Sequence, residues 1–157
     1  MRDCKGAARV MFGRRKKQIG RLLLVEDEPL VAFDNEHLLS DAGFEVVATV
    51  DRVAAAIVAI GYGSGVDLVL ADVSLADGSG LDVARAAQAA GVPVLFVTGT
   101  RPADGETLAQ GWLAKPYAPR DLIAAIRAIE AQMEGRVLRR MPVGLQLFGD
   151  EGAPAVA

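Results

Sequence analysis

Cysteine is nearly absent from this chain: Cys4 stands alone among 157 residues. That excludes a disulfide framework and a thiolate zinc cluster. Aromatic residues make up only 5%, against an apolar fraction of 52%, so the core must be aliphatic, built from Val, Leu, Ile and Ala. The chain has no apolar run of about eighteen residues or more, the length a membrane span needs. Its basic start lacks the apolar segment of a secretory signal. A cytoplasmic protein without a membrane span is expected. The sole histidine, His37, falls mid-helix among polar neighbours and reads as a surface residue rather than a ligand or relay site.

Charge is unevenly spread. Residues 1–21 hold eight Lys/Arg and one Asp, a balance of +7. The remaining nine Lys/Arg and nineteen Asp/Glu give −10. A basic leader, expected to be flexible over residues 1–19, thus precedes an acidic domain over 20–134. Residues 135–157, with scattered Gly and Pro and no clear period, form an extension of unassigned structure: a loose tail, or an added strand or helix packed on the domain.

Within the domain, apolar runs alternate with helical patterns. Strands are expected at 21–25, 45–50, 66–71, 92–97 and 111–114. Helices are expected at 29–43, with Pro29 in its first turn and Gly43 at its stop; at 52–60, capped by Asp51, with Val53, Ile57 and Ile60 on one face; at 80–91; and at 119–133, with Leu122, Ile126, Ile129 and Met133 on one stripe. Residues 102–110 make a short or degenerate helix at best. Strict β–α alternation implies an α/β fold, a doubly wound five-stranded parallel sheet covered on both sides. Strands one, three and four are apolar on both faces, as buried parallel strands are.

Polar residues cluster just past the strand ends. Glu26 and Asp27 follow the first strand, Asp72 the third, Thr98 the fourth and Lys115 the fifth. In an open parallel sheet these ends share one edge, and ligands bind where the strand order reverses. With strand order 2-1-3-4-5, that reversal sets Asp27 beside Asp72. Converging carboxylates are costly unless a cation compensates them, and hard oxygen donors suit Mg²⁺. Carboxylate, divalent metal, lysine and hydroxyl together are the components of phosphoryl transfer to Asp. Asp77, Gly78 and Gly80 read as a turn and a helix start without chemistry.

The segments "LLLVEDEP", "LVLADVSLADGSG", "VLFVTG" and "WLAKPY", in that order, resemble the receiver domain of two-component response regulators over roughly residues 20–134. The resemblance implies the flavodoxin-like fold and transfer of a phosphoryl group from a phosphohistidine. It implies Asp72 as phosphoacceptor, Asp27 and Asp72 as metal ligands, Glu26 as their acidic neighbour acting through water, and Ser74 as a backbone-carbonyl ligand. Lys115 and Thr98 would contact the phosphoryl group and assist its transfer, and Trp112, three before the lysine, would take the place of a rotamer-switching aromatic. "FVTGT" is similar to the FATG motif of a single-domain alphaproteobacterial subgroup, with Arg101 where that motif has Tyr. The short stretch from Thr98 to Lys115 departs from the family pattern and touches its usual output face.

The partners implied are a histidine kinase or histidine phosphotransfer protein, a downstream protein target and a second copy on activation. No segment after 134 has the length of a DNA-binding domain. The protein would act on no substrate beyond its own Asp phosphorylation and dephosphorylation, and so would not be an enzyme in the usual sense. Rival readings are a haloacid dehalogenase-type hydrolase, which needs a second Asp where Ser74 stands; a nucleotide binder, which needs a glycine-rich turn where Glu26, Asp27 and Glu28 stand; and a receiver-like binding module independent of phosphorylation.

Overall fold

The computed structural model describes residues 19–61 and 63–149. The leader expected over 1–19 lies outside them except for Ile19, as do residues 150–157. Ile19 already belongs to the domain: its side chain is fully buried, and its N–H donates to the buried carboxylate of Glu130 at 3.0 Å.

The elements run β1 (Arg21–Val25), α1 (Pro29–Asp41), β2 (Glu45–Val50), α2 (Val53–Ile60), β3 (Leu68–Ala71), β4 (Ser74–Leu75), β5 (Gly78–Ser79), α3 (Gly80–Ala89), β6 (Val94–Thr98), β7 (Gly111–Ala114), α4 (Pro119–Met133) and β8 (Leu145–Leu147). The main sheet has the order β2-β1-β3-β6-β7-β8. Its first five strands pair in parallel, as the alternating pattern predicts. The sixth, β8, comes from the C-terminal extension and pairs antiparallel with β7. The short β4–β5 hairpin stands apart from this sheet.

Period-two alternation sorts the core into two layers. Leu22 and Leu24 of β1, with Leu68 and Leu70 of β3, pack on α4 through Leu122, Ile126 and Ile129 and on α1 through Leu39. Leu23, Val25, Val69 and Ala71 face the other way, onto Ala56 and Ile60 of α2 and Val83, Ala84 and Ala87 of α3. Among the described residues, two helices therefore cover each side. The expected weak helix at 102–110 is only a single 3-10 turn, Gly105–Thr107.

Three local expectations change. Ile57 is 44% exposed, and the inward face of α2 runs instead through the small Ala56 and Ile60. Met133 ends the α4 stripe at the surface, 42% exposed. Asp51 does not cap α2. The cap residue is Arg52, without a side-chain cap bond, and the free N–H groups of Val53 and Ala54 donate to the carboxylate of Asp77, at 2.6 and 3.2 Å. Asp77 reaches them from the turn between β4 and β5, so a residue read as a plain turn ties that turn to a helix start. These amides hold its pKa below the ordinary 3.8, because hydrogen bonds to the charged form favour it.

The sign of the resulting pH effect follows. A depressed folded-state pKa adds stability above the unfolded value and loses it as pH falls through the folded one. Asp77→Ala is expected to lower the melting temperature at neutral pH. The gap to the unaltered protein should close as pH falls below the ordinary aspartate range. Thermal melts across pH check this, and a gap that persists at low pH would contradict it.

Candidate phosphoryl and metal site

Glu26, Asp72 and Lys115 each sit one step beyond a strand, held there by one more rung of the ladder. Glu26 N–H donates to Val50 O at 2.9 Å, Asp72 N–H to Val25 O at 3.0 Å, and Lys115 N–H to Thr98 O at 3.0 Å. The parallel sheet thus fixes the backbones of three charged residues before any side-chain contact is made.

The side chains then converge. Lys115 Nζ donates to Glu26 Oε1 at 2.6 Å and to Asp72 Oδ2 at 2.9 Å. Glu26 and Asp72 are buried, 5% and 8% exposed, whereas Asp27 lies nearer the surface. Oxygens of Glu26, Asp27 and Asp72 all lie within 4.8 Å of one another. Asp72 Oδ1 accepts the N–H groups of Val73 at 2.7 Å and Ser74 at 3.3 Å. The Asp72 carboxylate is therefore held from both oxygens, one by amides and one by the ammonium.

Burial pushes the Glu26 carboxyl above its usual value, against the pull of Lys115. At Lys115, burial works against the charge, but the hydrogen bonds to Glu26 and Asp72 and their charges outweigh it. The lysine pKa is raised, so it stays an ammonium. One ammonium faces three carboxylates, and with all ionised the cluster carries an excess of two negative charges. All three donors are hard carboxylate oxygens, the set that suits Mg²⁺. The residues present fit that ion.

The other candidates are placed less directly. Ser74 contributes its amide to Asp72. Thr98 is buried at the end of β6, and its carbonyl accepts both the Lys115 amide and the Trp112 indole N–H, the latter at 3.0 Å. Trp112 is half-buried against the cluster under α2 and α3. It meets the site through the Thr98 backbone rather than through the carboxylates.

Sequence reading missed one pair. Tyr117 Oη donates to Asn35 Oδ1 at 3.0 Å, which ties the loop after Lys115 to α1. Burial raises the Tyr117 pKa. Asn35 also lines a cavity of about 10 Å³ together with Glu26, Asp72, Leu24, Leu70, Val97 and Leu122. A signal was available: the buried face of α1 runs Ala32, Asn35, Leu39, so Asn35 is a polar residue on an apolar stripe. Gly80, the expected helix start, also packs on the site. A Cβ there would lie 2.0 Å from Asp72 O, so the start of α3 packs directly on the Asp72 backbone.

Two outcomes follow. Gly80→Ala should lose about 3 kcal/mol of stability, at the upper end for overpacking because the obstacle is backbone; denaturant melts measure it. Asp27→Asn should weaken Mg²⁺ binding by about tenfold or more, read by calorimetric titration; unchanged affinity would remove Asp27 from the ligand set.

Comparison with known proteins bears on the family and the fold. A family model described as the response regulator receiver domain matches residues 22–127. The sensory transduction protein RegX3 of Mycobacterium tuberculosis is 34% identical over 139 residues, covering 80% of this chain and 60% of the relative. The phyllosphere-induced regulator PhyR of Methylorubrum extorquens is 36% identical over 110 residues, covering 67% of this chain and 41% of the relative. The crystal structure of a response regulator receiver protein from Sinorhizobium medicae superposes with a TM-score of 0.63 at 28% identity, over 71% of this chain and 94% of that one. The chain spans 41% to 60% of the length of these curated relatives. No helix among the described residues is long and apolar enough to cross a membrane.

Proposed function

The chain belongs to the response regulator receiver family, and we propose that it accepts a phosphoryl group on Asp72 from the phosphohistidine of a histidine kinase or phosphotransfer protein. The reading rests on one observation above all: Lys115 Nζ bonded at once to Asp72 and Glu26 at the mouth of the sheet.

The roles follow from the bonds each residue makes. The amides of Val73 and Ser74 and the Lys115 ammonium orient the Asp72 carboxylate for attack. An oxygen of that carboxylate forms the new O–P bond. The P–N bond to the donor imidazole breaks, and its electron pair returns to the imidazole nitrogen. Positioning and charge compensation carry most of such a transfer. Asp27 and Asp72, with Glu26 beside them and the Ser74 carbonyl, would hold Mg²⁺. Bound there, the ion would supply charge neutralisation, so that an anionic carboxylate can approach an anionic phosphorus. Thr98 would donate its hydroxyl to a phosphoryl oxygen, and Lys115 would pair with the phosphoryl charge. Trp112 would act as the mobile aromatic that reports the change.

Phosphorylation adds nearly two negative charges at Asp72. Thr98 and Lys115 move toward them, and the segment 98–117 reorders. The output is a changed protein contact, with a downstream target or a second copy, in the cytoplasm where the kinase's phosphodonor lies. The chain turns over no other substrate. A phosphorylation-independent binding module is the alternative, favoured if the site is chemically silent.

The test is intact mass after incubation with Mg²⁺ and acetyl phosphate. One phosphoryl group should be gained, and the gain should be absent in Asp72→Ala and in EDTA. A chain that gains none, from acetyl phosphate or from a panel of phosphorylated kinases, would leave the binding module as the reading. If Thr98→Ala kept its phosphorylation-dependent partner binding, the switching route through Thr98 would be wrong.

A further inference from the structure

β7 is the last parallel strand, and its outer edge would leave backbone N–H and C=O groups unpaired. The chain covers that edge itself. Gly111, Trp112 and Leu113 face Leu147, Gln146 and Leu145 in register. The ladder extends at both ends, from Ala114 N–H to Gly144 O at 3.0 Å and from Phe148 N–H to Gln110 O at 2.8 Å. Gly111 permits the close approach, since a Cβ there would lie 2.9 Å from Gln146 O.

Phe148 sits just past the strand and turns into the α2–α3 face of the sheet, beside the 3-10 turn that links β6 to β7. It is 5% exposed and belongs to the cluster of Phe96 and Ala109. The Arg101 guanidinium lies 5.6 Å from its ring centroid, and its carbonyl accepts Gln132 Nε2 at 3.0 Å. Leu145 and Leu147 pack on the opposite cluster, with α4. The segment therefore reads as a bound peptide: a backbone ladder, two leucines two apart, then an aromatic in a pocket.

It is held over a short length. β8 has only three residues. Its connector carries Val137 and Val143 in solvent, 89% and 83% exposed, and a positive-φ glycine near each end, Gly135 and Gly144. An edge strand of this kind sits at the low-stability end of a fold.

We propose that the outer edge of β7, with the Phe148 pocket, is a strand-accepting interaction surface masked by residues 145–148, and that its partner is an extended peptide of the pattern Leu-x-Leu-aromatic. Such a partner adds a strand in place of β8, with the ladder giving affinity and the pocket giving specificity. The mask is also wired to the site. Trp112 faces Gln146 in β8, and its indole bonds the carbonyl of Thr98. Movement of Thr98 reaches the mask through Trp112, and through Ala114, which pairs with Thr98 and donates its N–H to Gly144 O. This coupling rests on the phosphoryl-acceptor reading above; the surface itself does not.

The sole tryptophan, Trp112, reports the edge by fluorescence. The probe is a synthetic peptide of residues 142–149, added to the full chain carrying Phe148→Ala, which weakens the mask. A saturable change is expected, about tenfold tighter than with the unaltered chain, and lost when the peptide itself carries Phe148→Ala. Should that variant fail to fold, Arg101→Ala takes its place; it removes the cation over the ring and the 3.6 Å ion pair with Glu106, and leaves Phe148 itself in the pocket. A folded variant whose 145–148 amides exchange freely, yet gives no response to the peptide, would overturn the surface. Light scattering that shows dimers closing over the same edge would overturn the peptide partner in favour of a second copy. Mg²⁺ with beryllofluoride, a phosphoryl mimic, should speed hydrogen exchange at 145–148 in the unaltered chain. Peptide binding without that response would keep the surface and overturn its link to Asp72.

Discussion

The site depends on one ammonium held between two buried carboxylates. Lys115 reaches from the end of β7 to Glu26 after β1 and Asp72 after β3, and so joins strand ends that the sheet order β1-β3-β6-β7 keeps apart. Buried like charges repel strongly, and a paired cation relieves them only if the geometry is good. The lysine relieves part of the charge and leaves a remainder. The cluster is thereby stable enough to fold, yet still favours further positive charge. The other local features hold this arrangement in place. Amides orient Asp72, Gly80 presses on its backbone, and the Asn35–Tyr117 bond fixes the loop that follows the lysine.

What was legible in the sequence follows from which contacts are periodic or terminal. Apolar runs located all five parallel strands; at β1, β3 and β6 burial on both faces leaves little choice of residue type, whereas the half-buried edge strand β2 shows by its run of β-branched residues. Asp27, Asp72 and Lys115 were legible because each follows a strand, and parallel strands end on one edge. Asp77 was not, because it caps a helix twenty-four residues earlier in the chain, and a tertiary cap has no local signature. Asn35 was half-legible, a polar residue on an apolar stripe whose partner no pattern names. β8 was hidden by its shortness, and Phe148 because its pocket exists only where a helix is missing.

That missing helix explains the extension. Two helices cover each side of the sheet, but β6 and β7 still present Phe96 and Trp112 toward the α2–α3 side. With only a 3-10 turn between those strands, apolar surface would stay wet there. Leu108, Ala109 and Phe148 fill it. The C-terminal segment thus does two jobs that a helix ordinarily does as one: it buries a hydrophobic face and it closes a strand edge.

The order in which the chain is made gives β8 one more consequence. Every residue of the acidic cluster and its lysine is synthesised by residue 115, whereas Phe148 comes more than thirty residues later. During synthesis, domains fold as units once their residues have emerged. A nascent protein that folds before residues 145–148 emerge has its charged site assembled and its sheet edge bare, the form most prone to pair with a neighbour on the same polysome. Emergence of residues 145–148 is the step that covers this edge.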